Sequence, residues 1–190
     1  MNSNQLKFEY KGFAMEMILE RIVSETRFLK RIHPKHDWLQ RAITASSQAS
    51  TRLRNNLPSY QATYGLIQNF KGSNADPIFN LDFSQVPAQQ ILDEVLGIDV
   101  LFNFKGYIIA IDVTTDLRAA TIDKKMSTKS KMAESYKLLR EPHPGKRNIE
   151  PGVDRVIILG VQKHLTPEDL LKVIKAAIAD EASFVQYHEV

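Results

Sequence analysis

Two aspartates, Asp99 and Asp112, sit in a stretch whose other residues are suited to a β-hairpin. The segments 98–104 and 107–114 are rich in β-branched and aromatic residues, and Lys105-Gly106 between them is a turn signal. Side chains alternate faces along a strand, so Ile98, Val100, Phe102 and Phe104 share one face with Tyr107, Ile109, Ile111 and Val113. That all-apolar face predicts core, and it leaves both aspartates on the other face. A two-residue turn would place Asp99 directly opposite Asp112, with Cβ atoms about 5 Å apart. A four-residue loop would make them diagonal neighbours about 7 Å apart, whereas a three-residue loop would break the match of apolar faces. Like charges facing across strands destabilise a sheet. Either one carboxyl holds a proton or a cation sits between them. Magnesium suits such a place, because it takes one or two carboxylates, keeps several waters and accepts substrate phosphate. The plainer alternative is that each aspartate caps a loop or pairs with a nearby lysine or arginine.

The elements that must carry this hairpin can be read from the flanking sequence. Apolar residues Met15, Ile18, Leu19, Ile22, Val23 and Leu29 recur at helical spacing over 14–31, and His33-Pro34 closes that helix. Asp37 is placed to cap a second helix running from Trp38 towards Pro58, and a third, shorter helix covers 60–70. The turn-rich 71–77 reads as a loop. After the hairpin, 121–139 suits a helix and Glu-Pro-His-Pro-Gly at 141–145 breaks it. The apolar run 153–161 predicts a strand covered on both faces. Thr166-Pro167-Glu168-Asp169 predicts a capped helix start, with the helix ending near Asp180. The order implies an α/β layered domain on a mixed central sheet. With 190 residues, one domain over 1–190 is expected, with 37–75 as a helical insertion within it.

Composition narrows the chemistry. Apolar residues at 43% and charged residues at 25% describe a globular chain, and the lack of cysteine excludes disulfides and thiolate metal sites. No apolar run reaches a membrane span and no signal-peptide core opens the chain, so a cytoplasmic protein without membrane contact is expected. Charge is unevenly spread: 1–70 carries 10 basic and 5 acidic residues, 71–117 carries 2 and 7, 118–147 carries 9 and 3, and 148–190 carries 4 and 7. Basic blocks around a carboxylate cluster suit a polyanion handled through a divalent cation. Lys129 and Lys131 in the second basic block, and Arg41, Arg52 and Arg54 in the first, are the candidate phosphate contacts. His33-x-x-His36 lacks an acid in register for zinc, and no nucleophile elbow, dinucleotide fingerprint or P-loop occurs.

The segment Gly-Ile-Asp99-Val-Leu-Phe, a turn, then Ile-Ala-Ile-Asp112-Val-Thr114 resembles the central hairpin of the PD-(D/E)XK nuclease superfamily. The resemblance covers about 98–161, with 14–31 as the first helix, and implies a restriction-endonuclease-like αβββαβ core. It also implies that Asp99, Asp112 and the Val113 carbonyl ligate magnesium (or manganese), joined by a helix-one glutamate, Glu16, with Glu20 the second choice. The family's motif lysine would stand at 114, where this chain has Thr114. Some members supply that lysine from the next helix, and Lys124 and Lys125 stand near its start, with Lys129 a turn later. The expected function is a magnesium-dependent endonuclease acting on DNA, with a homodimer suited to cutting two strands. The rivals are a non-catalytic nucleic-acid-binding or regulatory protein keeping the fold, and an assembly factor whose basic helices bind an acidic protein.

Overall fold

A computed structural model describes residues 3–65, 84–139 and 152–190, which divide into two compact units. The first unit comprises 1–32, 98–130 and 153–190. Its hairpin forms because β2 (Val100–Phe104) and β3 (Tyr107–Thr114) are joined by the tightest turn available. Lys105 has φ 53° and Gly106 φ 97°, the positive pair that a primed two-residue turn demands, and Asn103 Oδ1 accepts the Gly106 N–H at 3.0 Å. The pairs Phe104–Tyr107, Phe102–Ile109 and Val100–Ile111 follow, which is the register expected for a two-residue turn.

β4 (Arg155–Gly160) runs parallel to β3, and β5 (Val185–Glu189) parallel to β4. β1 (Lys30–Arg31) closes the other edge against β2, giving a five-stranded mixed sheet in the order β1-β2-β3-β4-β5. β4 lies inside the sheet and is accordingly apolar almost throughout. One face of the sheet packs on α1 (Ser3–Glu25) and α7 (Pro167–Ala179). Met15, Leu19, Ile22 and Val23 of α1 bury in one core with Val100, Phe102, Ile109, Ile111 and Val113, which Leu170, Val173, Ile174 and Ala177 of α7 join beside Ile157 and Leu159 of β4. The Thr166 cap is formed as expected, its hydroxyl oxygen accepting the Asp169 N–H at 3.2 Å. α5 (Ala119–Lys131) follows β3.

The second unit, 33–97 with 131–152, is helical where described: α2 (His36–Thr44), α3 (Ser47–Tyr64), α4 (Ala88–Glu94) and α6 (Ala133–Lys137). The described part of the helical stretch expected at 37–75 lies here.

Several sequence expectations need correction. The first helix ends at Glu25 rather than Arg31, because Lys30 and Arg31 take up the open edge of β2 and Ile32 N–H donates to Leu101 O at 2.8 Å. α2 starts at His36, so Asp37 sits in its first turn and makes no cap. The expected 38–58 helix is two helices, parted where Ser46 caps α3. Pro58 lies inside α3, which gives up one backbone bond there and ends instead at left-handed Gly65, φ 64°. The 121–139 helix breaks at Met132 into α5 and α6. Tyr107, expected in the core, is 41% exposed beside the turn. The segments 66–70, 71–77 and 141–145 lie outside the described residues. Among those described, no helix is long and apolar enough to cross a membrane.

The turn offers a direct check. Left-handed backbone costs a side-chain-bearing residue about 1–2 kcal/mol. Gly106→Ala should therefore destabilise the fold by that order, while Lys105→Asn should stabilise it by a few tenths to about 1 kcal/mol, as read by urea unfolding.

Candidate active site

The two hairpin aspartates meet different surroundings. Asp99 lies one residue before the ladder of β2. Its N–H donates to Ile111 O at 2.8 Å, and its Oδ2 accepts the Val113 N–H at 2.6 Å. The side chain thus binds the end of β3 instead of facing Asp112 as an uncompensated charge. Since a strand residue presents its N–H and C=O to the same side, the Val113 carbonyl also faces the Asp99 side. Glu16, on the turn of α1 that begins with core residue Met15, brings a carboxylate oxygen within 4.8 Å of one on Asp99. Glu20, one turn on, is instead paired with Arg31 at 2.5 Å.

Asp112 projects from the opposite face to Ile111 and Val113 and is 6% exposed. Its Oδ1 lies 2.5 Å from Lys125 Nζ and its Oδ2 2.8 Å from Lys129 Nζ, both lysines on α5. These lysines are four residues apart and so share one helix face. Burial pushes the Asp112 carboxyl up. The Lys129 and Lys125 ammoniums with their hydrogen bonds outweigh burial and hold it below its ordinary value. At Asp112 the positive charge beside the carboxylate comes from two lysine ammoniums.

The start of α5 is fixed by residues that sequence reasoning did not single out. Asp116 accepts the Arg118 N–H at 3.2 Å, an Asx-turn, and also bonds the Arg118 guanidinium and the Thr121 hydroxyl. The hydrogen bond from Arg118 is the main reason the Asp116 carboxyl stays well below the usual range. Thr114 is 7% exposed, and its hydroxyl oxygen accepts the Asp116 N–H at 3.3 Å. A short polar side chain there helps to set the helix that delivers Lys125 and Lys129. The Asp-x-Arg spacing before a helix was the available signal.

Other expected residues fall elsewhere. Lys124 is exposed on α5, and Lys131 is exposed at that helix's end. Lys129, expected to contact phosphate, is instead 1% exposed, with its ammonium held on Asp112. Arg52 donates to Glu94 O at 2.8 Å, satisfying a carbonyl at the end of α4. Arg41 pairs with Asp37 at 3.5 Å, and Arg54 is exposed on α3. His36 Nε2 lies 2.7 Å from Val86 O, while His33 is exposed. No family model, curated protein or solved structure matches the chain.

A buried carboxylate left short of a partner costs several kcal/mol, whereas a solvent-exposed pair is worth little. Lys129→Met, removing a side chain only 2% exposed, should therefore cost about 3 kcal/mol in urea unfolding at neutral pH. Lys125→Met, at 29% exposed, should cost no more than about 1 kcal/mol. Because the folded Asp112 titrates below 3.8, the stability it supplies is present above that pH and lost as pH falls through its lowered value. The gap between wild type and Lys129→Met should accordingly narrow below pH 3.8. A gap as wide at pH 3 as at pH 7 would contradict the pairing.

Proposed function

We propose that this chain is a magnesium-dependent phosphodiesterase acting on DNA, with its sheet unit serving as a restriction-endonuclease-like core. The antiparallel β1-β2-β3 meander preceded by α1 and followed by α5 and parallel β4 supports that reading of the fold. The observation that carries the function is the convergence of Lys125 and Lys129 on Asp112. The lysine absent at 114 is replaced by lysines from the following helix, on the strand acid that the motif would place two residues before it.

The donors suit the cation. Glu16, Asp99 and the Val113 carbonyl offer oxygen only, as magnesium or manganese prefers. Glu16 and Asp99 bring carboxylate oxygens within 4.8 Å of one another, close enough for both to serve one such ion. When bound, the ion would make an attacking water more acidic and stabilise charge on the phosphate. The rest is work for the chain itself. Glu16 and Asp99 would hold the cation, and the Val113 N–H fixes the Asp99 carboxylate in place. Lys125, 29% exposed and paired with Asp112, would offer its ammonium to the water and to a phosphate oxygen. Lys129 stays buried and keeps Asp112 ionised. The exposed Lys124 and Lys131 add positive charge for the DNA backbone.

One observation favours the non-catalytic alternative. Thr114 and Asp112 already have protein partners that account for them structurally. Activity decides between the readings. Wild type should cleave at least one of single-stranded, duplex or branched DNA with magnesium or manganese and stop on chelation. Asp99→Asn should lose roughly 100-fold, and Lys124→Ala should stay near wild type. No cleavage of any of these substrates would leave a nucleic-acid-binding fold.

A further inference from the structure

The hairpin turn forms one end of the sheet, and the strand register brings the end of α1 to it. Lys30 pairs with Asn103, and Phe104 with Tyr107, so the residues just before β1 lie at the same end as Lys105-Gly106. This end carries two exposed aromatic rings, Phe28 at 63% and Tyr107 at 41%. The other strongly exposed large apolar residues described, Met17 and Ile18, are not aromatic and lie further back on α1. A single exposed ring needs no explanation, whereas two at one end among cations mark an interaction surface. The charge around them has one sign. Arg27, Lys30 and Lys105 are exposed and make no ion pair with any described residue. Lys105 instead lies with its Nζ 5.5 Å from the centroid of the Phe104 ring. Acids on the flanking elements are engaged elsewhere: Glu25 pairs with Arg21 at 2.8 Å, and Asp154 accepts the Ile108 N–H at 2.6 Å. Asp180 and Glu181 stand before β5, at the opposite edge of the sheet.

Cations beside bare rings suit a polyanion whose units carry flat aromatic faces. A duplex keeps its bases stacked inside, whereas a single strand offers phosphates together with free base faces. We infer that this end of the sheet binds single-stranded DNA, with Phe28 and Tyr107 stacking on unpaired bases while Arg27, Lys30 and Lys105 meet the phosphates. An anionic membrane is the other surface with matching chemistry, but two rings bury too little apolar area for stable anchorage there. The inference rests on the DNA reading and narrows it. Tyr107 lies five residues along β3 from Asp112, about 17 Å, so DNA reaching both is unpaired at the hairpin end. The substrate class is then single-stranded or branched DNA, not plain duplex.

The test is fluorescence-anisotropy titration of labelled oligothymidylate, and of a duplex of the same length, with the full chain in EDTA so that nothing is cleaved. Wild type should bind the single strand more tightly than the duplex. Phe28→Ala combined with Tyr107→Ala should weaken single-strand binding about tenfold or more, and duplex binding by less than about threefold. Phe28→Tyr with Tyr107→Phe keeps both rings and should stay within about threefold of wild type. Arg27→Gln with Lys30→Gln should lower the log–log salt slope for the single strand by about 1. A wild type that prefers duplex or fails to bind the single strand overturns the inference, as does undiminished binding without the rings or an unchanged salt slope. Ring-dependent binding to phosphatidylserine vesicles, with oligothymidylate binding unaffected by the rings, would assign this end to a membrane instead. DNA cleavage by wild type with single-strand binding independent of the rings would remove this inference alone. Ring-dependent single-strand binding without any cleavage would remove the phosphodiesterase reading and leave this surface standing.

Discussion

The sheet unit depends on one buried carboxylate being neutralised. Asp112 sits in the middle of the sheet, on a strand paired on both sides, where an uncompensated charge would cost several kcal/mol. Its two lysines come from a helix whose start is tied down by Asp116 and, through the Asp116 N–H, by Thr114. The chain leading from β3 into α5 is therefore held by its charges as well as by its apolar contacts. Asp99, at the end of the neighbouring strand, is satisfied differently, by a backbone N–H of β3. This leaves it turned towards Glu16 on α1.

The hairpin was legible because its signals are local. Lys105-Gly106 demands a primed turn, the turn fixes the register, and the period of two places the acids. The capped start of α7 was legible for the same reason. What pairs with each acid was not, since alternation gives a face and not a partner. Asp99 lies just beyond the ladder, and its side chain bends to accept the Val113 N–H. The convergence of Lys125 and Lys129 was within reach of sequence reasoning, because an i,i+4 pair shares a helix face that the adjacent Lys124 does not.

The elements that escaped notice had little local signal. β1 is two basic residues and exists only through pairing with β2. β5 is a five-residue edge strand of mixed polarity, defined by β4 beside it. The end of α3 was placed too early because Pro58 reads as a stop, whereas the αL conformation of Gly65 supplies the real one. In each case tertiary pairing or a downstream cap decided what propensity alone could not.

On the proposed nuclease reading, the helix lysine Lys125 does the work that a strand lysine at 114 would do. The most direct measurement is the rate of metal-dependent DNA cleavage by Lys125→Met, alone and combined with Thr114→Lys. Residues 112 and 114 share a face of β3, so a lysine at 114 would reach the same acid from the strand. The single variant should fall about 100-fold, and Thr114→Lys in that background should recover a tenfold or greater part of the loss. Cleavage by Lys125→Met as fast as wild type would contradict the account.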